Sequence, residues 1–233
     1  PQTLDPTVKG FIFATDDAVD VDIVGTGDKV IASGAGDDQI NSDGTSSDYI
    51  DAGDGENTVY SGSGNDTVVA GEGDDFVDGG SGNDYIDAGN GDNYIHGGSG
   101  ADTLVGGDGD DFLLGDNGND VISTGGGDNY VEGGSGADSV TGGSGNDLIL
   151  GGSGDDTIIG GGGDDEMQGN SGADYFFAGE GNDTVIGGSG TDTLDTGHSL
   201  LDVTSTTDQG GGITKIVFND GSSITYSEIE TLI

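Results

Sequence analysis

The sequence has no cysteine and no arginine, and its only cationic side chains besides histidine are Lys9, Lys29 and Lys215. Without cysteine there is no disulfide staple and no thiolate metal site. Without a basic footprint, nucleic acid and anionic membrane surfaces are excluded as partners. No apolar run approaches the length that spans a bilayer, so membrane insertion is not expected. No signal peptide opens the sequence at Pro1, and a start at Pro-Gln without Met reads as a piece of something longer.

What is present is acid and glycine. Asp and Glu number 46 in 233 residues, for a formal net charge of −43 at pH 7. Self-repulsion on that scale opposes a compact state unless cations are bound. Glycine supplies 53 residues and proline two. So much glycine without a period would mean disorder; a strict repeat can rescue a fold.

The repeat is there. From Ser33 to Asp195 the sequence divides into eighteen nonapeptides with one extra residue, Ser42, before the unit Asp43 to Asp51. A degenerate unit, Val24 to Ala32, precedes them. Gly97-Gly98-Ser99-Gly100-Ala101-Asp102-Thr103-Leu104-Val105 shows the form G-G-x-G-x-D-x-U-x, with U apolar. Position 4 is Gly in seventeen of eighteen units, Ser46 being the exception. Position 2 is Gly in sixteen, the others being Asp116 and Asn170. Asp and Asn best tolerate left-handed backbone after Gly, so the exceptions meet the same steric demand. Position 8 is apolar throughout, from Ile40 to Leu194.

Six turn residues followed by a three-residue strand with one inward side chain predict two nonapeptides per coil. Nine coils stacked at roughly 4.8 Å would extend about 43 Å. Odd-numbered turns then line one edge and even-numbered turns the other, each lying over the turn eighteen residues away. The expected fold is all-β: a parallel β-roll, meaning a two-sheet right-handed β-helix of about nine coils. One large apolar side chain per nine residues is a thin core against the entropy of ordering so glycine-rich a chain.

Position 6 supplies what the core lacks. On the even edge it reads Asp48, Asp66, Asp84, Asp102, Asp120, Asp138, Asp156, Asp174 and Asp192. On the odd edge it reads Asp38, Asn57, Asp75, Asn93, Asp111, Asn129, Asp147, Asp165 and Asp183. Stacked carboxylates repel one another, but with a cation between each pair they become a cage of hard oxygens. Carboxylates and turn carbonyls, without Cys or His, select Ca2+ over zinc or copper. Magnesium is disfavoured by its smaller octahedron. Eight neighbouring pairs on each edge set a limit of about sixteen ions. Asn57, Asn93 and Asn129 remove a charge from alternate sites, which predicts a weaker class of sites on the odd edge.

The nonapeptide resembles that of the repeats-in-toxin (RTX) calcium-binding β-roll family, over residues 33–195. The resemblance implies an ion between turns of the same edge. One turn offers the carbonyls of positions 2 and 4 and the position 6 carboxylate. The next turn offers the carbonyls of positions 1 and 3 and its own carboxylate. One ion would thus lie between Gly80, Gly82, Asp84 and Gly97, Ser99, Asp102. The same carry-over makes carbonyl ligands of Gly62, Gly64, Gly98, Gly100, Gly107, Gly109, Gly134, Gly136, Gly143, Gly145, Gly152 and Gly154. Lys29, at position 6 of the degenerate unit, argues against an ion there. The family further implies export through a one-step (type I) bacterial secretion channel and folding outside the cell, where calcium is plentiful.

Other features have bland readings beside functional ones. Phe76, Tyr94, Phe112, Tyr130 and Leu148 form an outward ladder at position 7, either a docking stripe for a glycan or partner protein or cross-strand stacking. Stacking is the favoured reading. The column Ser63, Ser81, Ser99, Ser135, Ser153 is similar to the ranks of ice-binding relatives, with Ser in place of Thr. His96 and His198 read as isolated and solvated. The recurrent acid pairs lack a cleft or a partner nucleophile, so no catalytic residue is assigned and the chain reads as not an enzyme.

Residues 1–23 are expected to form an N-terminal strand cap, 24–195 the roll and 196–233 a C-terminal hairpin cap turning at Asn219-Asp220-Gly221. The segment Phe218 to Ile233 resembles the region preceding a hedgehog/intein-type self-processing domain, whose opening cysteine is not in this sequence. The resulting expectation is a calcium-binding scaffold of a larger exported bacterial protein. The alternatives are a surface-binding module (glycan, ice or protein) and an accessory module of a secreted hydrolase or epimerase.

Overall fold

A computed structural model describes residues 2–3, 11–13, 17–198, 203–210 and 212–233. The described chain is strand and turn throughout. It is a β-roll of two sheets, of fourteen and twelve strands, parallel except for the C-terminal strands of the larger, that face each other across one core. Strands of odd-numbered units build one sheet and those of even-numbered units the other. The register follows the repeat: Tyr94 pairs with Phe112, and Phe112 with Tyr130, each eighteen residues on.

The core is the position 8 column. Ile40, Val59, Ile95, Leu113 and Val131 face Ile50, Val68, Ile86, Leu104 and Ile122, all at most 1% exposed. A second column, not anticipated, is buried beside it. Position 1 points inward, and Ser33, Ala52, Ser61, Ala70, Ala88, Thr124 and Ala178 are fully buried. Many strands are correspondingly longer than three residues. Tyr94–Ser99 carries its pairing through positions 1 to 3 of the next turn.

The turns are tight for two separate reasons. Asp116 and Asn170 at position 2 have φ of 69° and 67°, the left-handed backbone expected of them. At position 4, Gly82 has φ of 132°, and a Cβ there would overlap the carbonyl oxygen of Gly64 in the coil before. Glycine is needed at this position for close stacking as well as for its dihedral angles.

The extra residue sits differently from the sequence reading. Ser42 is fully buried in the position 1 place and pairs with Ile23, so the surplus falls inside the turn that follows. That turn stacks on an equally long one, because Lys29 and Asp48 lie nineteen residues apart in register. On its other side the long turn stacks on an ordinary one, and the register changes from nineteen at Asn41 and Tyr60 to eighteen at Asp48 and Asp66.

The parallel stacking continues beyond the repeats. Gln2–Thr3 pairs with Asp20–Gly25, and Phe11–Phe13 with Val30–Ala32. At the other end Ile213–Phe218 and Ser223–Ser227 form an antiparallel hairpin. Its second strand pairs in parallel with Asn182–Gly190. Ile216, Phe218 and Ile224 are buried over the last apolar layer.

Candidate metal sites

Each position 6 Asp divides its two oxygens between two tasks. Oδ1 accepts the backbone N–H of the position 6 residue one coil earlier: Asp84 Oδ1 from Asp66 at 2.8 Å, Asp102 Oδ1 from Asp84 at 2.8 Å. The position 6 carbonyl accepts the position 7 N–H of the next coil, as Asp66 O does from Tyr85 at 2.9 Å. The backbone around these residues is therefore satisfied, and the carboxyl groups are held rigidly in line.

Oδ2 is left over. In Asp38, Asp66, Asp75, Asp84, Asp102, Asp111, Asp120, Asp138, Asp147, Asp156, Asp165, Asp174, Asp183 and Asp192 it is buried and accepts no hydrogen bond among the described residues. None of these residues is more than 3% exposed. Buried polar atoms in native proteins are almost always paired, and an unpaired buried carboxylate oxygen is among the costliest exceptions. Fourteen such atoms recur at equivalent positions along the two edges.

The surroundings of Oδ2 show what it faces. A Cβ placed on Gly79 would lie 2.9 Å from Asp84 Oδ2 and 2.8 Å from the carbonyl oxygen of Gly97 in the next coil. At Gly133 the corresponding distances, to Asp138 Oδ2 and Gly151 O, are both 2.6 Å. Carboxylate and carbonyl oxygens thus converge beside position 1, which explains why small residues occupy that column.

Among the described residues no three acidic or imidazole side chains converge on a point. Each slot between coils has at most two carboxyl groups, and backbone carbonyls must provide the rest. That all-oxygen donor set fits calcium. Bound there, calcium would supply the positive charge that the two carboxylates lack.

The protonation equilibria point the same way. Burial, followed by the charges of Asp66 and Asp102, pushes the Asp84 carboxyl up to about 7. Burial likewise raises Asp120, Asp156 and Asp183 to about 7. Asp75, Asp111 and Asp165 rise for the same leading reason, to about 6. Desolvation and like charge both disfavour the ionised form, and a bound cation would reverse both.

Four position 6 residues behave differently. Asp48 Oδ2 receives the Lys29 ammonium at 2.9 Å and the Ser42 hydroxyl at 2.6 Å, with Lys29 itself 3% exposed. A chain-borne cation sits in this first slot. Asn57, Asn93 and Asn129 keep the Oδ1 contact of their Asp counterparts, accepting from Asp38, Asp75 and Asp111 at 2.9–3.0 Å. Their Nδ2 groups point where Oδ2 would, toward backbone carbonyls.

The remaining side chains of interest are not isolated. His96 lies between Asp78, at 3.3 Å, and Asp116 on neighbouring coils. His198 stacks on Phe218 and reaches Asp220 at 3.2 Å. The Ser222 hydroxyl donates to the same carboxylate at 2.6 Å. The hydroxyl's acceptor is thus the carboxylate and not the imidazole, an order that does not generate a nucleophile. The aromatic ladder runs Tyr60, Phe76, Tyr94, Phe112, Tyr130 with centroids 4.5–5.5 Å apart, the last four rings nearly parallel. Their faces are covered by one another, as cross-strand stacking requires.

The sequence matches the RTX calcium-binding nonapeptide repeat (4 copies) over residues 42–68, 61–95, 69–104, 96–131, 105–140, 132–167, 141–176 and 168–197. No curated protein sequence matches it. Among solved structures, the extracellular lipase LipA from Serratia marcescens is similar at 16% identity and a TM-score of 0.23. The match covers 96% of this chain and 38% of the lipase, so this chain spans well under half of that protein's length. At such a TM-score the likeness carries no argument. The repeat matches together run from residue 42 to 197, about two thirds of the sequence, and the chain belongs to the family of RTX calcium-binding nonapeptide repeat proteins.

Proposed function

We propose that this chain is a calcium-driven folding module: a scaffold of a larger exported bacterial protein, unfolded where calcium is scarce and ordered where it is plentiful. The observation that carries the reading is the row of fourteen buried Asp Oδ2 atoms without a hydrogen-bond partner. Leaving a buried acceptor unpaired costs about 1–3 kcal/mol, more when it is charged. Fourteen such costs, about 14–42 kcal/mol together, match or exceed the roughly 5–15 kcal/mol by which whole domains are stable. The roll therefore needs its cations to exist at neutral pH, and ion binding becomes folding energy. The same logic makes the acids structural ligands and leaves no catalytic role for them.

Circular dichroism against calcium concentration at pH 7.5 tests the proposal. The expected course is a disordered spectrum in excess chelator that turns to β at millimolar calcium and reverts on chelation. A β-rich, compact chain in chelator at that pH and ordinary salt would overturn it.

A further inference from the structure

We infer that three of the sixteen between-turn slots, those opening from Asn57, Asn93 and Asn129, bind no calcium because the asparagine amide itself occupies the ion's place. The inference rests on the calcium-binding reading above and is the alternative to the expectation that these slots bind ions weakly.

The geometry is direct. Asn57 Nδ2 donates to the carbonyls of Gly53 and Gly55 in its own turn, at 3.2 and 3.0 Å, and to Ala70 O in the next coil at 3.3 Å. These are the carbonyls of positions 2, 4 and 1 of the slot. Asn93 repeats the set with Gly89, Gly91 and Gly106, at 3.5, 2.9 and 3.3 Å. Asn129 Nδ2 reaches Gly127 O at 3.0 Å and Asp147 Oδ1 at 2.9 Å, adding the neighbouring carboxylate to the list. One amide nitrogen thus gathers oxygens of the kinds a between-turn ion is expected to gather.

Chemistry fixes the orientation. A position 6 side chain must accept the N–H of the preceding coil, and Asp has a second oxygen to spare for an ion. Asn has one oxygen only. Turning that oxygen toward the slot would set Nδ2 against the backbone N–H of Asp38, Asp75 or Asp111, donor facing donor. The N–H contact therefore commits Nδ2 to the slot, where its two hydrogens are shared among the slot's oxygens without metal. Lys29 obeys the same rule: where position 6 is not Asp, a nitrogen of the chain stands in the slot.

The three residues recur every 36 positions on one edge. Along the odd edge, slots closed by an amide thus alternate with slots opening from the orphaned Asp38, Asp75 and Asp111 oxygens. One edge of the roll accordingly needs fewer ions than the other.

The test is calcium stoichiometry, measured by equilibrium dialysis on the full chain and on the single variants N57D, N93D and N129D, each checked for β structure by circular dichroism in saturating calcium. Each substitution restores an oxygen facing the slot and is expected to add one bound ion per chain; the triple variant should add three. An unchanged count in any folded single variant overturns the inference for that slot, because the asparagine site was then already occupied. If a variant does not fold, the parent chain's stoichiometry decides: more than thirteen ions overturns the inference, and thirteen or fewer supports it. A parent chain that binds no calcium refutes the proposed function instead.

Discussion

Acidification should replace calcium. In the stacked chain Asp84, Asp120, Asp156 and Asp183 titrate at about 7, and Asp75, Asp111 and Asp165 at about 6. In the unfolded chain aspartate titrates near 3.9. Folded-state values above the unfolded one mean that folding takes up protons. The stabilising contribution is fully present below about pH 4 and is lost as the pH rises through 6 and 7. At pH 5 these seven carboxyls hold about six more protons folded than unfolded, a linkage slope of roughly 8 kcal/mol of stability per pH unit. A third of that slope, acting over the two units from pH 7 to 5, still equals about 5 kcal/mol, the stability of a small domain.

The assay is circular dichroism in excess chelator, stepped from pH 8 to pH 5. The expected result is β structure appearing between pH 7 and 5 with no divalent cation present. The window separates this effect from simple relief of the −43 net charge, because exposed acids release their charge only near pH 4. It also stays above the isoelectric point of about 4.1, where precipitation would intervene. A chelated chain that remains coil-like down to pH 5, and orders only as the exposed acids titrate, would refute the claim that buried position 6 carboxyls set the metal requirement.

Two substitutions test the stacking itself. Gly82→Ala puts a methyl group into the Gly64 carbonyl at a left-handed φ, and should cost about 3 kcal/mol in saturating calcium, while Gly162→Ala, with open space around its Cβ, should stay within about 0.5 kcal/mol; equal melting shifts would show that position 4 glycine is not dictated by coil spacing. Lys29→Met strands the buried Asp48 carboxylate and should cost about 3 kcal/mol, with most of the loss recovered in Lys29→Met/Asp48→Leu; a Lys29→Met chain melting with the parent would remove the ammonium from the role of built-in cation.

Columns that face one environment throughout were readable from the repeat. Position 8 must be apolar because it meets only the opposite sheet, and the spacing of eighteen fixes which strands become neighbours. Position 1 was not readable. Its residues are small and mixed, Gly97, Ala88, Ser61 and Thr124 among them, and look like turn filler. Their size is limited by Asp Oδ2 and the next coil's carbonyl, a constraint between residues five and eighteen apart that composition does not reveal. The asparagines were visible as a 36-residue period, but composition counts them as weaker ligands. Only the backbone N–H one coil away shows that their single oxygen is already engaged. The extra residue was visible as a slip, yet its matching long turn at Ile23 lies where the nonapeptide has decayed. His96 looked isolated because its partners, Asp78 and Asp116, are neighbours only through the stacking.

The contrast between Asp and Asn at position 6 bears on why the array keeps its acids. Both residues cap the preceding N–H equally well, at 2.8 Å for Asp84 and 2.9 Å for Asn129, so the fold does not need a carboxylate there. An asparagine in every turn would satisfy the carbonyls internally, leave no orphaned oxygen and remove much of the self-repulsion. Such a roll would be more stable without metal than the present one. The chain uses that solution at three turns and carries an aspartate in the other fifteen. On the reading proposed above, metal dependence is therefore a property of the side chains chosen and not of the β-roll geometry. Instability in the absence of calcium is the property those carboxylates confer, and a segment that must stay unfolded until it meets calcium requires it.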